Sequence, residues 1–279
     1  MRFTFLGTGT SAGVPMIGCS CDVCTSDDPR DRRLRTSACL RFTDAIGSPR
    51  TILLDAGPDL RMQAIREGLD RCDAIVFTHN HVDHVFGLDE VRRFNDVQQS
   101  AVEIHADDHT MESLERIYAH IFRKERNVNP SFVATLLPFR VSPEVIERGL
   151  PVRLHGVDFT PIPLLHGRLP VLGWRIDPDE RLLTPGAREV FPLAYCTDVS
   201  AIPPASWSRF RGIRTLVLDA LRHRAHPTHL TIGQAVGIAA EIGADRTFFV
   251  HMSHDLAHRV TQDSLPDGCF LAHDGLTLG

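Results

Sequence analysis

At 279 residues, 43 % hydrophobic and 23 % charged, the chain has the make-up of an ordinary globular protein, long enough to bury a large core as one domain or as two fused halves. A formal charge of −5 provides no global basic field, which disfavours bulk nucleic-acid binding while allowing a local basic cleft. Met1-Arg2-Phe3-Thr4-Phe5-Leu6 runs straight into Gly7-Thr8-Gly9 without a secretory apolar region, and no run approaches membrane-spanning length; a cytoplasmic protein with no membrane contact is expected. Seven cysteines in such a chain read as metal ligands or buried thiols rather than disulfides.

In chain order, a strand is expected at Arg2 to Leu6, followed by the loop Gly7 to Pro15. Its glycines permit close backbone approach, yet no helix-forming run follows, which favours a tight turn over a nucleotide-binding loop. Cys19, Cys21 and Cys24 then place three thiols within six residues, a zinc knuckle that needs a fourth ligand from elsewhere. Asp27 to Arg35, of mixed charge, is expected to be a solvated surface segment. Strands follow at Ala38 to Phe42 and Thr51 to Leu54, the second ending in Asp55. Two roles are open to Asp55: orienting a ligand histidine from behind, or capping a helix at Asp59 to Glu67.

The densest chemistry lies in Thr78 to Gly87, Thr-His-Asn-His-Val-Asp-His-Val-Phe-Gly, directly after the apolar strand Ala74 to Phe77. Four ligand-type side chains in six residues serve no packing purpose. The spacing suits two metal ions side by side, with His79 and His81 on one and Asp83 and His84 on the other.

Leu88 to Phe94 is expected to be helical, Ala101 to His105 a strand, and Asp107 to Arg126 helical, with Met111, Leu114, Ile117, Tyr118 and Ile121 on one stripe. In the second half, Val157 to Leu165 is a strand interrupted by Pro161 and Pro163, placing it at an edge or bulge, and it leads into His166. Phe191 to Cys196 leads into Asp198, Thr215 to Leu218 into Asp219, and Arg246 to Val250 into His251. Ligand-type side chains thus recur just past strand ends, where layered α/β proteins collect their sites.

His79-x-His81-x-Asp83-His84 resembles the signature of the metallo-β-lactamase superfamily. The resemblance implies a four-layer αββα sandwich, an α/β fold, as a single hydrolase domain over 1–279. The family's motifs do not cover about 105–150, which is expected to be an insert shaping the substrate entrance or a homodimer interface. The resemblance also implies His166 on the first metal, Asp198 bridging and His251 on the second, two divalent ions (zinc or manganese) in all. Three residues after His251, His254 would close the Cys19, Cys21 and Cys24 site around a structural zinc.

Gly13-Val14-Pro15 ahead of the cysteine loop, together with His226-Pro227-Thr228-His229-Leu230-Thr231, is similar to the phosphodiesterase branch typified by phosphoribosyl cyclic phosphodiesterase. That similarity implies a small, cyclic ribosyl or nucleotide phosphodiester as substrate, attacked by a hydroxide shared between the two metals. Asp83 and His229 are implied in catalysis, His229 as proton donor to the leaving oxygen. His226 and His223 compete with His229 for that role, and Arg168 is a candidate phosphate contact. A tRNase Z-like RNA endonuclease and a non-hydrolytic carrier similar to the pyrroloquinoline-quinone branch are the alternatives.

Overall fold

The computed structural model describes residues 1–129 and 131–279. Its first sheet is formed by β1 (Arg2–Gly7), β2 (Ser37–Thr43), β3 (Pro49–Leu54), β4 (Ala74–Val76), β5 (Val102–Ala106), β6 (Leu136–Arg140) and β14 (Thr277–Leu278), in the order β14-β1-β2-β3-β4-β5-β6. The second comprises β7 (Val152–Leu154), β8 (Val157–His166), β9 (Leu169–Pro178), β10 (Leu193–Cys196), β11 (Thr215–Asp219), β12 (Arg246–Val250) and β13 (Cys269–Leu271), in the order β13-β12-β11-β10-β9-β8-β7. The helices are α1 (Leu60–Glu67), α2 (Val82–Val85), α3 (Val91–Gln98), α4 (Asp108–Ile117), α5 (Ala119–Phe122), α6 (Pro143–Arg148), α7 (Pro185–Arg188), α8 (Ile232–Ile242) and α9 (His258–Gln262).

The four-layer α/β sandwich follows from strands that are apolar on both faces. In β3, Ile52 and Leu54 enter the core between the sheets with Phe3, Phe5, Trp174 and Val217, while Leu53 points outward. The period-2 alternation of a strand thereby serves two cores at once. On the outside of the first sheet, Leu53 and Ile75 meet Leu60 and Ala64 of α1, Val91 and Phe94 of α3 and Met111 and Leu114 of α4. On the outside of the second, Leu216 and Leu218 meet Ile232, Ala235 and Ala239 of α8. A capping box at Thr231 and Gln234 starts α8, and Gly243, at φ 68°, ends it.

Strand direction decides where the polar residues gather. β3, β4 and β5 are parallel, as are β10, β11 and β12. β8 and β10 both run antiparallel to β9 between them and so point the same way. Side chains that follow β4, β8, β10, β11 and β12 therefore emerge along one rim.

Several expectations change. Asp27 to Arg35 is not a solvated run: Asp31 and Arg33 are buried, because their polar atoms meet the backbone of the 253–258 segment. The helix expected over Asp107 to Arg126 breaks at Tyr118, whose hydroxyl donates to the Val85 carbonyl at 2.9 Å, and resumes as α5. Residues 105–150 contribute to the first sheet itself, since α4 lies between the parallel strands β5 and β6. β8 is continuous through both prolines; β7 pairs only with Val157 to Phe159, so Pro161 and Pro163 lie where that flank carries no strand. Their carbonyls accept instead from Arg209 and Ser206.

Candidate metal centre

The loop after β4 turns at once into α2, which separates the two pairs that the spacing suggests. His79 and His81 lie with His166 and Asp198 in one group whose ligand atoms are all within 4.8 Å of one another, and Asp83 and His84 lie with Asp198 and His251 in a second. Asp198 belongs to both. Its Oδ1 is 3.9 Å from Nε2 of His79, 4.0 Å from Nε2 of His166 and 3.3 Å from Nε2 of His251, while its Oδ2 is 3.1 Å from Nε2 of His84. Oδ2 of Asp83 is 3.3 Å from Nε2 of His84 and 3.4 Å from Nε2 of His251.

The other ring nitrogens explain why the Nε2 atoms face inward. Asp55 is fully buried and accepts from Nδ1 of His84 at 2.8 Å and from the Thr78 backbone N–H and hydroxyl. The Thr78 hydroxyl, donating to Asp55, can only accept from Nδ1 of His79, 2.9 Å away. His166 donates from Nδ1 to the Thr228 carbonyl at 2.7 Å. Of the two roles open to Asp55, orientation is the one observed; α1 starts at Leu60 with Asp59 as its N-cap, and among the described residues it has no side-chain cap bond. Asp55, Asp198 and His251 follow strand ends with φ of 62°, 56° and 60°. Non-glycine residues held there cost roughly 1–3 kcal/mol each and cluster at functional sites.

Among the described residues, the buried Nε2 atoms of His79 and of His84 have no hydrogen-bond partner. Orphaned imidazole nitrogens aimed at a shared carboxylate fit divalent cations, as does the mixed nitrogen and oxygen donor set. The electrostatics differ between the groups. Burial, aided by the neighbouring His84, holds His79 well below the ordinary imidazole range, and burial pushes His166 down to about 4. Burial also opposes charge on His84, but Asp198, Asp83 and Asp55 override it and raise that ring well above the ordinary range. His251 is raised in the same way, with Asp198 and Asp83 outweighing burial.

His229 lies beside this set. Its ring stacks on His251 with centroids 4.7 Å apart, and its Nδ1 is 2.9 Å from Oδ1 of the fully buried Asp219. Oδ2 of Asp219 accepts the Leu230 N–H at 2.9 Å, fixing the carboxylate. His226 is farther out, its ring 5.2 Å from that of His229 and its Nδ1 facing Thr228; His223 and Arg168 are exposed. Sequence reasoning marked Asp219 only as a carboxylate past a strand and did not pair it with His229.

At a separate point the Sγ atoms of Cys19, Cys21 and Cys24 are 3.2, 3.3 and 3.6 Å from Nδ1 of His254. These four could hold a tetrahedral ion. The Cys24 backbone N–H lowers the Cys21 thiol to about 6, favouring its thiolate, while burial pushes the Cys24 thiol up to about 11.

Two seven-stranded sheets that gather these histidines and aspartates along one rim define an α/β sandwich of the metal-binding class. Residues 50–252 match the beta-lactamase superfamily domain. The chain belongs to that superfamily. It is similar, at 40 % identity over 100 % of its length and 97 % of the other chain, to a crystal structure described as a new diphosphatase from the PhnP family, with a TM-score of 0.84. The zinc-bound PqqB of Methylobacterium extorquens shares the fold at 20 % identity and a TM-score of 0.74, with both chains fully covered. A relative named octanoyltransferase in Porphyromonas gingivalis is 35 % identical over 99 % of this chain, which spans about half, 51 %, of that relative's length.

Proposed function

We propose that the protein is a metal-dependent phosphodiesterase acting on a small substrate, a cyclic ribosyl or nucleotide phosphodiester. The observation that carries this reading is the place of His229: outside both ligand groups, stacked on His251 and oriented by Asp219. A group so placed can hand a proton to the oxygen that leaves phosphorus. His79, His81, His166 and Asp198 would hold one divalent ion, and Asp83, His84, Asp198 and His251 a second; zinc and manganese both suit such donors. When bound, such a pair supplies an acidified water and neutralises phosphoryl charge. Cys19, Cys21, Cys24 and His254 would hold a structural zinc.

Nδ1 of His229 is engaged by Asp219, which leaves Nε2 as the atom to exchange a proton with substrate. His226, with Nδ1 facing the Thr228 N–H and hydroxyl, has no carboxylate partner among the described residues and is the weaker candidate. The negative overall charge favours a small ester over an RNA precursor. The Asp219–His229 pair favours hydrolysis over a carrier role. A second reading, cleavage of a diphosphate linkage, is supported by the similarity to the PhnP-family diphosphatase.

The test is turnover by metal-loaded protein of bis(p-nitrophenyl) phosphate, a panel of cyclic nucleotides and ribosyl cyclic phosphates, a dinucleoside diphosphate and a tRNA precursor. Hydrolysis of the cyclic esters, with little action on the others beyond the p-nitrophenyl ester, is expected. Diphosphate turnover alone would select the second reading. Among the described residues no helix is long and apolar enough to cross a membrane.

A further inference from the structure

Arg33 is 1 % exposed, in a part of the chain far from the rim in sequence. Its guanidinium donates to the carbonyls of Ser253 at 2.8 Å and Leu256 at 2.5 Å, to Oδ1 of Asp31 at 3.1 Å and, through Nε, to the Arg30 carbonyl at 3.3 Å. The same Asp31 oxygen accepts the His258 N–H at 2.8 Å. A buried arginine with one carboxylate and three carbonyls is a fastening, because a planar fork can span acceptors that a point charge cannot. What it fastens is the segment that begins with His251.

Neighbouring contacts grip that segment from other sides. Met252 donates to the Thr8 carbonyl at 3.0 Å and accepts from the Thr10 N–H at 3.1 Å, while Ser253 donates to the Leu221 carbonyl at 2.9 Å. Gly9 passes so close that a Cβ there would lie 2.8 Å from the Arg33 carbonyl. His251 itself sits at φ 60°, a conformation that persists in a non-glycine residue only where the surroundings over-determine it.

We propose that Arg33 is a positioning residue for the second ion group: by holding the Ser253 and Leu256 carbonyls it fixes the backbone that aims Nε2 of His251 at Asp83 and Asp198. The inference rests on the two-ion reading above. His79, His81 and His166 hang from other loops, so the effect is confined to one of the two groups.

The experiment titrates zinc into protein whose cysteine site is filled and whose rim has been stripped, comparing wild type with Arg33→Lys. Outer partners of metal ligands are typically worth 10–100-fold in metal affinity, so the second zinc should bind about 10-fold or more weakly and the first within about twofold of wild type. The rate at saturating zinc should return to near the wild-type value. Equal weakening of both ions, or a lowered melting temperature with both affinities unchanged, would overturn the proposal. A wild-type rim that takes one ion only would overturn the two-ion reading, and this inference with it.

Hydrogen exchange on the rim-stripped wild type provides a second measurement that needs no variant to fold. The Met252 and Ser253 amides should exchange as slowly as those of β12, since the fastening does not depend on the ions. Exchange as fast as in exposed loops would show that the ions, not Arg33, order the segment.

Discussion

Asp219 stands between His229 and His251, its Oδ1 2.9 Å from Nδ1 of the first and 3.6 Å from Nδ1 of the second. One buried carboxylate thus hydrogen-bonds the candidate proton donor and faces a candidate metal ligand at ion-pair distance. Burial raises its own proton affinity against the pull of His229. Replacing it by asparagine keeps the shape and removes the charge. Asp219→Asn should lower kcat by ~10–10³-fold, since positioned proton transfer is worth up to ~10⁴. Metal analysis of the same sample should show little change; a parallel loss of metal and rate would make Asp219 chiefly a support for His251.

His229 can be examined by the basicity of what leaves. A poor leaving alkoxide needs protonation in the transition state, whereas p-nitrophenolate departs largely unaided. His229→Ala should therefore lose ~10²–10⁴ in rate on a ribosyl or alkyl phosphodiester and much less on bis(p-nitrophenyl) phosphate, with metal content intact. Equal losses on both esters would assign His229 to phosphate binding or structure. If His226→Ala alone showed the dependence, the donor would be His226.

Asp83 and His84 supply two of the four side chains of the second group. Asp83→Ala or His84→Ala should remove about one ion per chain and lower activity by orders of magnitude. Elemental analysis with unchanged metal and rate would contradict a dinuclear centre.

The two groups should also differ in proton release. His84 and His251 have raised proton affinity in the ion-free protein, whereas that of His79, His81 and His166 is lowered. Lowered proton affinity favours the neutral, ligating form in the first group, while in the second ions must compete with a raised proton affinity. Filling the second group should release more protons than filling the first, and its affinity should fall more steeply as pH falls. The raised imidazoles stabilise the ion-free fold below their unfolded-state value of about 6.5, and that contribution is lost as pH rises through their folded values. Calorimetric titration in buffers of different ionisation enthalpy counts the protons directly.

For the cysteine site, Cys21→Ser should lower zinc content by about one and the melting temperature by several degrees, because a closed zinc site contributes folding energy outright. Any catalytic loss should follow from displacement of the 19–24 loop. Full zinc content with unaltered melting would show the three cysteines to be ordinary thiols.

Much of this arrangement was legible because ligand side chains follow short apolar strands. Val76 and Phe77 before His79, or Phe249 and Val250 before His251, say both that a strand ends and that a polar atom must surface there. The pairing of His79 and His81 apart from Asp83 and His84 was readable from spacing alone. What stayed hidden depends on distant partners. Arg33 in a charged run looks solvated until its fork meets carbonyls 220 and 223 positions away. Asp219 looks like any strand-end carboxylate until the turn through His229 folds back on it. Tyr118 fits a helical stripe, and the helix breaks there because its hydroxyl finds the Val85 carbonyl.

The triad Asp219, His229 and His251 lies within the second half of the chain, whereas the two rim groups and the cysteine group draw side chains from both halves: His79 and His81 with His166 and Asp198, Asp83 and His84 with Asp198 and His251, and the three cysteines with His254. Every ion held there would act as a rivet across the seam between the two sheets. Peeling one sheet from the other would have to pull ions from their ligands, so occupancy and the docking of the halves are thermodynamically one equilibrium. Neither half, expressed alone, would retain a complete ligand set for any of those three ions.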